Sequence, residues 1–191
     1  MKRIPASLLL ATLAAPLAPI SYAADLDFGF GIDITRSNIK LDNDTLRTSD
    51  FVDDDQDAIG GSGYAKMRVN KGLVADVGFT HGSNTIFGST FDHYSYDGVF
   101  LRAGYEWLVG KNFSITPQLG LQHTRLYFTE GIFLNPGEEE EIRMTSTRPI
   151  VGLKLGVPFG ETFAMHYRIQ HTDFNDGSLM QQTIGFSFML W

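Results

Sequence analysis

The chain contains no cysteine, which excludes a disulfide framework and a thiolate metal site. It is also short of positive charge: 15 Lys and Arg stand against 22 Asp and Glu, for a formal net charge of −7. An acidic chain excludes nucleic acid as a partner, because phosphate backbones are held by basic surfaces. Beyond residue 24 there is no long apolar run, so no transmembrane helix is available. No linker, internal repeat or low-complexity tract divides the chain.

The one apolar stretch comes first. Lys2 and Arg3 precede a segment from Ile4 to Ile20 that is mostly Leu, Ala and Ile. Ser21-Tyr22-Ala23 then places small residues at the two positions that signal peptidase reads. Its three prolines and short length disfavour a membrane anchor. Residues 1–23 are therefore expected to be a signal peptide cut after Ala23, and residues 24–191 a single exported domain. Cleavage removes Lys2 and Arg3 and moves the net charge from −7 to −9.

The rest of the chain is eight stretches in which apolar and polar residues alternate. The first sets Leu26, Phe28, Phe30, Ile32 and Ile34 against Asp27, Gly29, Gly31, Asp33 and Thr35. The last sets Ile184, Phe186, Phe188 and Leu190 against Gly185, Ser187, Met189 and the terminal Trp191. The breaks Asn70-Lys71-Gly72, Gly110-Lys111-Asn112 and Phe159-Gly160-Glu161 are tiny. The others are long, polar and acidic, running from Asn38 to Gly61, His81 to Tyr94, Thr129 to Thr145 and Thr172 to Leu179. Short turns on one side and long loops on the other mark a closed transmembrane β-barrel. Only alternate residues of such strands face lipid, so the mean hydropathy stays near zero.

A soluble β-sandwich would alternate as well. The polar parity decides against it, because it carries mid-strand charges and many glycines, among them Gly29, Gly31, Gly78, Gly104, Gly120, Gly152, Gly156 and Gly185. Glycine weakens a solvated strand face, whereas the inside of a narrow barrel needs it for space. The expected fold is all-β: an eight-stranded antiparallel up-and-down barrel with short periplasmic turns and long extracellular loops. Tyr105, Trp107, Phe113, Tyr127 and Phe163 are placed for interfacial aromatic girdles.

The inward parity collects Asp27, Asp33, Asp76 and Glu106 with Lys66, Arg68, Arg102, Lys154, Arg168 and His166. Buried charges are costly unless paired, so these residues are expected to form an ion-pair network that plugs the lumen. A narrow gated solute channel is the competing use of the same residues.

The patterning resembles the small eight-stranded outer-membrane barrels, namely the transmembrane domain of outer membrane protein A and the small adhesin and serum-resistance barrels. The resemblance covers the whole mature chain and rests on topology. It implies an outer-membrane location in a Gram-negative bacterium and a structural or surface-binding role, without catalysis and without a cofactor, in a monomer.

The loops suit such contacts. Asp42, Asp44, Asp50 and Asp53 to Asp55 lie in the first, and Glu138 to Glu141 in the third. Divalent cations bridge lipopolysaccharide phosphates, and clustered carboxylates can join them. Asp53, Asp55 and Asp57 have the spacing of a calcium loop, but Ala58 replaces its turn glycine and Tyr64 its bidentate glutamate. Phe51, Phe87, Phe91, Ile132, Phe133, Leu134 and Phe174 are apolar loop residues available to an external partner. His81, His123, Arg125 and His171 continue the lipid-facing parity at the outer rim, placed to contact lipopolysaccharide phosphates.

His81-Gly82-Ser83-Asn84 resembles the His-x-Ser-Asn motif of the outer-membrane lipid A deacylases. The resemblance implies His81 as general base and Ser83 as nucleophile on an acyl ester. In that family the motif lies on the penultimate strand, where this chain reads His171-Thr172-Asp173. The last strand carries Gln181 and Gln182 where a glutamate would orient the histidine. The first expectation is therefore a structural or surface-binding barrel, the second a lipid A ester hydrolase, and the third a narrow channel.

Overall fold

Alternation with β-branched and aromatic residues favours extended backbone, and the computed structural model is built of strands. It describes residues 26–41, 55–69, 72–84, 92–130, 141–174 and 177–190. The strands are β1 (Leu26–Leu41), β2 (Asp55–Val69), β3 (Leu73–Ser83), β4 (Asp92–Tyr105), β5 (Trp107–Leu108), β6 (Ser114–Glu130), β7 (Glu141–Phe159), β8 (Phe163–Phe174) and β9 (Gly177–Leu190). The two-residue β5 continues β4 past a break at Glu106, whose amide donates to the Gly72 carbonyl at 2.7 Å. β4 and β5 thus make one of eight staves. Every sequential pair is antiparallel, and β1 pairs with β9, so the sheet closes on itself and has no free edge.

The two faces separate as the alternation requires. Outward stand large apolar side chains such as Ile34, Phe79, Val99, Leu119 and Val151, with Ile34 71% exposed. A continuous apolar belt of this kind is tolerated only against lipid. Inward stand Asp33, Thr35, Lys66, Asp76, Arg102, Gln118, Lys154 and Arg168, all buried. Near the periplasmic end Phe163 packs against Phe159, Phe186 and Phe188, and Tyr105 against Trp107, forming aromatic clusters on the lipid face.

The short turns depend on glycine. Gly110 and Gly160 take φ values of 71° and 74°, the left-handed region that other residues enter at a cost. Inside, glycine makes room: a Cβ on Gly31 would run into the Tyr64 ring, and one on Gly185 into the Asp33 carboxylate.

The strands run further outward than the loop limits read from the sequence. β1 and β2 remain paired as far as Lys40 opposite Asp55, and β6 and β7 as far as Thr129 opposite Glu141. The cause is a reversal of polarity at the membrane edge. Along β1 the outward residues change from Ile32 and Ile34 to Arg36, Asn38 and Lys40, while the inward ones change from Asp33, Thr35 and Ser37 to Ile39. A lipid-facing stripe therefore ends where the strand does not. Above the bilayer the wall is polar outside and filled inside by Ile39, Ala58, Tyr94, Tyr96, Leu126 and Leu179.

Candidate functional site

Three carboxylates organise the lumen. Asp33, on β1, sits beside Gly185 and receives hydrogen bonds from Arg168 Nη1 at 2.9 Å and Ser62 Oγ at 3.0 Å. His166 Nε2 lies 2.9 Å from its other oxygen. Asp76, on β3, accepts from Gln118 Nε2 at 3.1 Å and pairs with Arg168 at 3.6 Å and Arg102 at 3.8 Å. Glu106 pairs with Arg68 at 3.1 Å, nearer the periplasmic end. Each carboxylate thus has its own arginine, and Arg168 joins the first two.

Aromatic rings complete the arginine environment. The Arg102 guanidinium lies 3.8 Å from the centre of the Phe100 ring, and Arg168 lies 5.3 Å from that of Tyr64. A planar, weakly hydrated guanidinium accepts such a face where an ammonium would hold water.

Above the charges runs a chain of neutral donors and acceptors. Arg102 Nη1 donates to Gln170 Oε1 at 2.7 Å. Gln170 donates to Gln181, whose amide donates in turn to the Tyr96 hydroxyl at 3.1 Å. Tyr96 bonds to Ser37 beneath the apolar cap. Gln118, Gln122, Gln170 and Tyr96 are not singled out by the sequence, and Gln181 and Tyr64 enter there only as replacements in other motifs. Their inward parity was the available signal, but a neutral amide draws no attention until its partners are known.

The remaining three inward residues occupy two situations. Asp27 lies at the periplasmic mouth, with no ion pair among the described residues. Lys66 and Lys154 are buried, and among the described residues neither has a carboxylate within 4.0 Å. The lumen is therefore a set of arginine–carboxylate pairs, with two lysines drawn to Glu106 and Asp76 over a longer range.

On the outside, His81, His123, Arg125 and His171 all take the outward parity. His81 Nδ1 lies 2.8 Å from Asp97 Oδ1 on β4, His123 Nδ1 lies 2.7 Å from Thr147 Oγ1, and His171 Nε2 lies 2.9 Å from Asp173 Oδ1. Ser83 follows His81 on the same face, opposite Ser95. The acid beside His81 thus comes from β4 and not from the last strand. Gln181 points into the lumen and Gln182 outward.

Asp57 is not in a loop. It stands on β2 opposite Asn38, and Arg36 Nη2 donates to it at 2.7 Å and Asn38 Nδ2 at 3.3 Å. Asp55 also belongs to β2, while Asp53, the other acidic residues of positions 42–54 and Glu138 to Glu140 lie outside the described residues. So do residues 1–23, Phe51, Phe87, Phe91, Ile132, Phe133, Leu134 and Trp191. Among the described residues no group of three or more His, Asp or Glu side chains could hold a metal ion.

An antiparallel barrel of eight staves, belted by apolar side chains and charged within, defines a small outer-membrane protein of a Gram-negative bacterium. The chain belongs to the outer membrane protein beta-barrel domain family, whose pattern matches residues 6–190. Comparison with curated protein sequences finds no match. Similar solved structures include Ail, the attachment invasion locus protein of Yersinia pestis, at 15% identity over 86% of this chain and 98% of that one, with a TM-score of 0.62. Ail in complex with the heparin analogue sucrose octasulfate is similar at 16% identity over 87% of this chain and 99% of that one, with a TM-score of 0.58. Neisserial surface protein A is similar at 12% identity over 87% of this chain and 98% of that one, with a TM-score of 0.67. At these identities the likeness carries the fold alone.

Proposed function

We propose that this barrel is a structural and surface-contact protein of the outer membrane. Its lumen is plugged by the ion-pair network, and its wall carries acidic loops to lipopolysaccharide, divalent cations or an external partner. One observation carries the reading: the strands overrun the bilayer with a polar outer face and an apolar filling. β7 is 19 residues long, where a tilted crossing needs about 9–11. Continuing the barrel beyond the membrane carries a polar wall past the acyl chains, which serves contact and adds nothing to anchoring. Ail, of similar fold, is an attachment protein seen with a heparin analogue.

The test is to delete residues 42–54 and, separately, 131–140, and to measure calcium-dependent association with lipopolysaccharide micelles. Loss of association in barrels that still show a folded, heat-modifiable mobility is expected. Unchanged association would sink the loop reading. A single-barrel conductance in planar bilayers that changes on Arg102→Ala or Glu106→Ala would replace it with the channel.

The His81–Asp97 pair favours a second reading, ester hydrolysis of lipid A with Ser83 as nucleophile. Against it stands the backbone. β3 is paired on both sides through Ser83, opposite Ile59 and Ser95, so its amides are engaged in the ladder rather than aimed at an oxyanion. Mass spectrometry of lipid A from cells with the wild type and with Ser83→Ala decides. Identical lipid A removes this reading, and an acyl loss that requires Ser83 establishes it.

A further inference from the structure

The lumen is not symmetric end to end. Its outer end is closed by the apolar cluster of Ile39, Tyr94, Leu126 and Leu179. Its inner end opens into a cavity of about 580 Å³. Lys111 and Glu161, in the short turns, form its lip, so the opening faces the periplasm. Lys66, Lys154, Ser114 and Ala164 line it further in.

The two lysines are 3% and 2% exposed. Lys154 feels the like charge of Lys66. Glu106 and Asp76 attract both lysines from beyond ion-pair distance, but Glu106 is shared with Arg68 and Asp76 with Arg102 and Arg168. Five inward cations, Lys66, Arg68, Arg102, Lys154 and Arg168, thus share three carboxylates, and buried charge in excess is costly. A counter-ion entering from the periplasm offsets the cost.

We propose that this vestibule is a binding site for a phosphate group. A phosphate monoester carries a charge of about −1.5 to −2 near neutral pH, which matches two ammonium groups. Lysine binds phosphate as a point charge with freely turning donors. The cavity size lies within the range of about 300–1,000 Å³ typical of small-molecule sites. The phosphate can belong to a free periplasmic solute or to an inner-leaflet phospholipid whose headgroup is a phosphate monoester, since the mouth is rimmed by lipid-side residues Leu26, Phe163 and Leu190.

The barrel is purified in an alkyl maltoside, which contains no phosphate, and titrated with inorganic phosphate by calorimetry at ionic strength held constant with chloride. Saturable binding is expected, weakened at least tenfold by Lys66→Gln and by Lys154→Gln. Ala164→Leu fills the vestibule without removing a charge, and should abolish binding while leaving the heat-modifiable mobility of the folded barrel intact. Competition distinguishes the sources: short-chain phosphatidic acid displaces inorganic phosphate if a headgroup is the occupant, and glycerol phosphate alone displaces it if a solute is. Absence of saturable binding to the wild type overturns the proposal, as does binding that survives Ala164→Leu and both lysine replacements.

Discussion

Arg168 and Asp33 meet in the centre of the lumen, 2.9 Å apart and 135 residues apart in the chain, with both side chains fully buried. A buried pair contributes little compared with apolar packing, but breaking it strands a charge. Arg168→Met should therefore destabilise the barrel by about 3–5 kcal/mol. Combining it with Asp33→Asn should recover part of that loss, though not all, because Asp76 also loses Arg168. Urea unfolding in lipid vesicles measures both variants, and equal losses in the single and double replacements would deny the coupling.

Gly185 keeps space for the same carboxylate. A side chain there would collide with the Asp33 side chain and the Ile32 carbonyl. Gly185→Val should cost at least the roughly 1–3 kcal/mol of an overpacked core and displace Asp33 from Arg168. Reduced yield of heat-modifiable barrel in the outer membrane is the expected result.

Leu179, fully buried, belongs to the apolar cap rather than to a loop. Leu179→Ala should lower stability by about 2–5 kcal/mol, as a core cavity does. An exposed loop leucine would change it by a few tenths. The unfolding midpoint in urea separates these outcomes.

Above the membrane, the hydrogen bond from Arg36 holds the Asp57 carboxyl below the usual carboxylate range, against the opposing effect of burial and with a smaller contribution from Asn38. A group whose folded value is depressed stabilises above its ordinary value of 3.8 and loses that contribution as pH falls through the folded one. The wild type should therefore exceed Asp57→Asn in stability at pH 6, and the difference should vanish as pH falls well below 3.8. Both side chains are largely exposed, so the difference should be small and should shrink in high salt.

Gly160 shows how directly some of the fold could be read. A tiny break between two alternating stretches demands a tight turn, and a tight turn favours a residue free to adopt positive φ. The parity of Asp33, Asp76, Arg102 and Arg168 was equally plain, because successive side chains of a strand face opposite ways wherever the strand goes. The overrun of β7 was not legible as a lipid-facing stripe. Arg143, Thr145 and Thr147 continue the outward parity with polar residues, and polarity at a membrane edge reads as a loop.

The sequence by itself determined the strands, the faces and the membrane, since each follows from a period of two that any short stretch contains. It did not determine which arginine meets which acid. Asp33 reaches Arg168, Glu106 reaches Arg68, and His81 finds Asp97, because barrel closure and register bring those strands to those heights. The surplus of Lys66 and Lys154 belongs to the same class of fact. A count of charges shows an imbalance, but only the tertiary structure decides which cations come within ion-pair distance of an acid, since pairing is settled by distances of a few ångströms between strands remote in the chain.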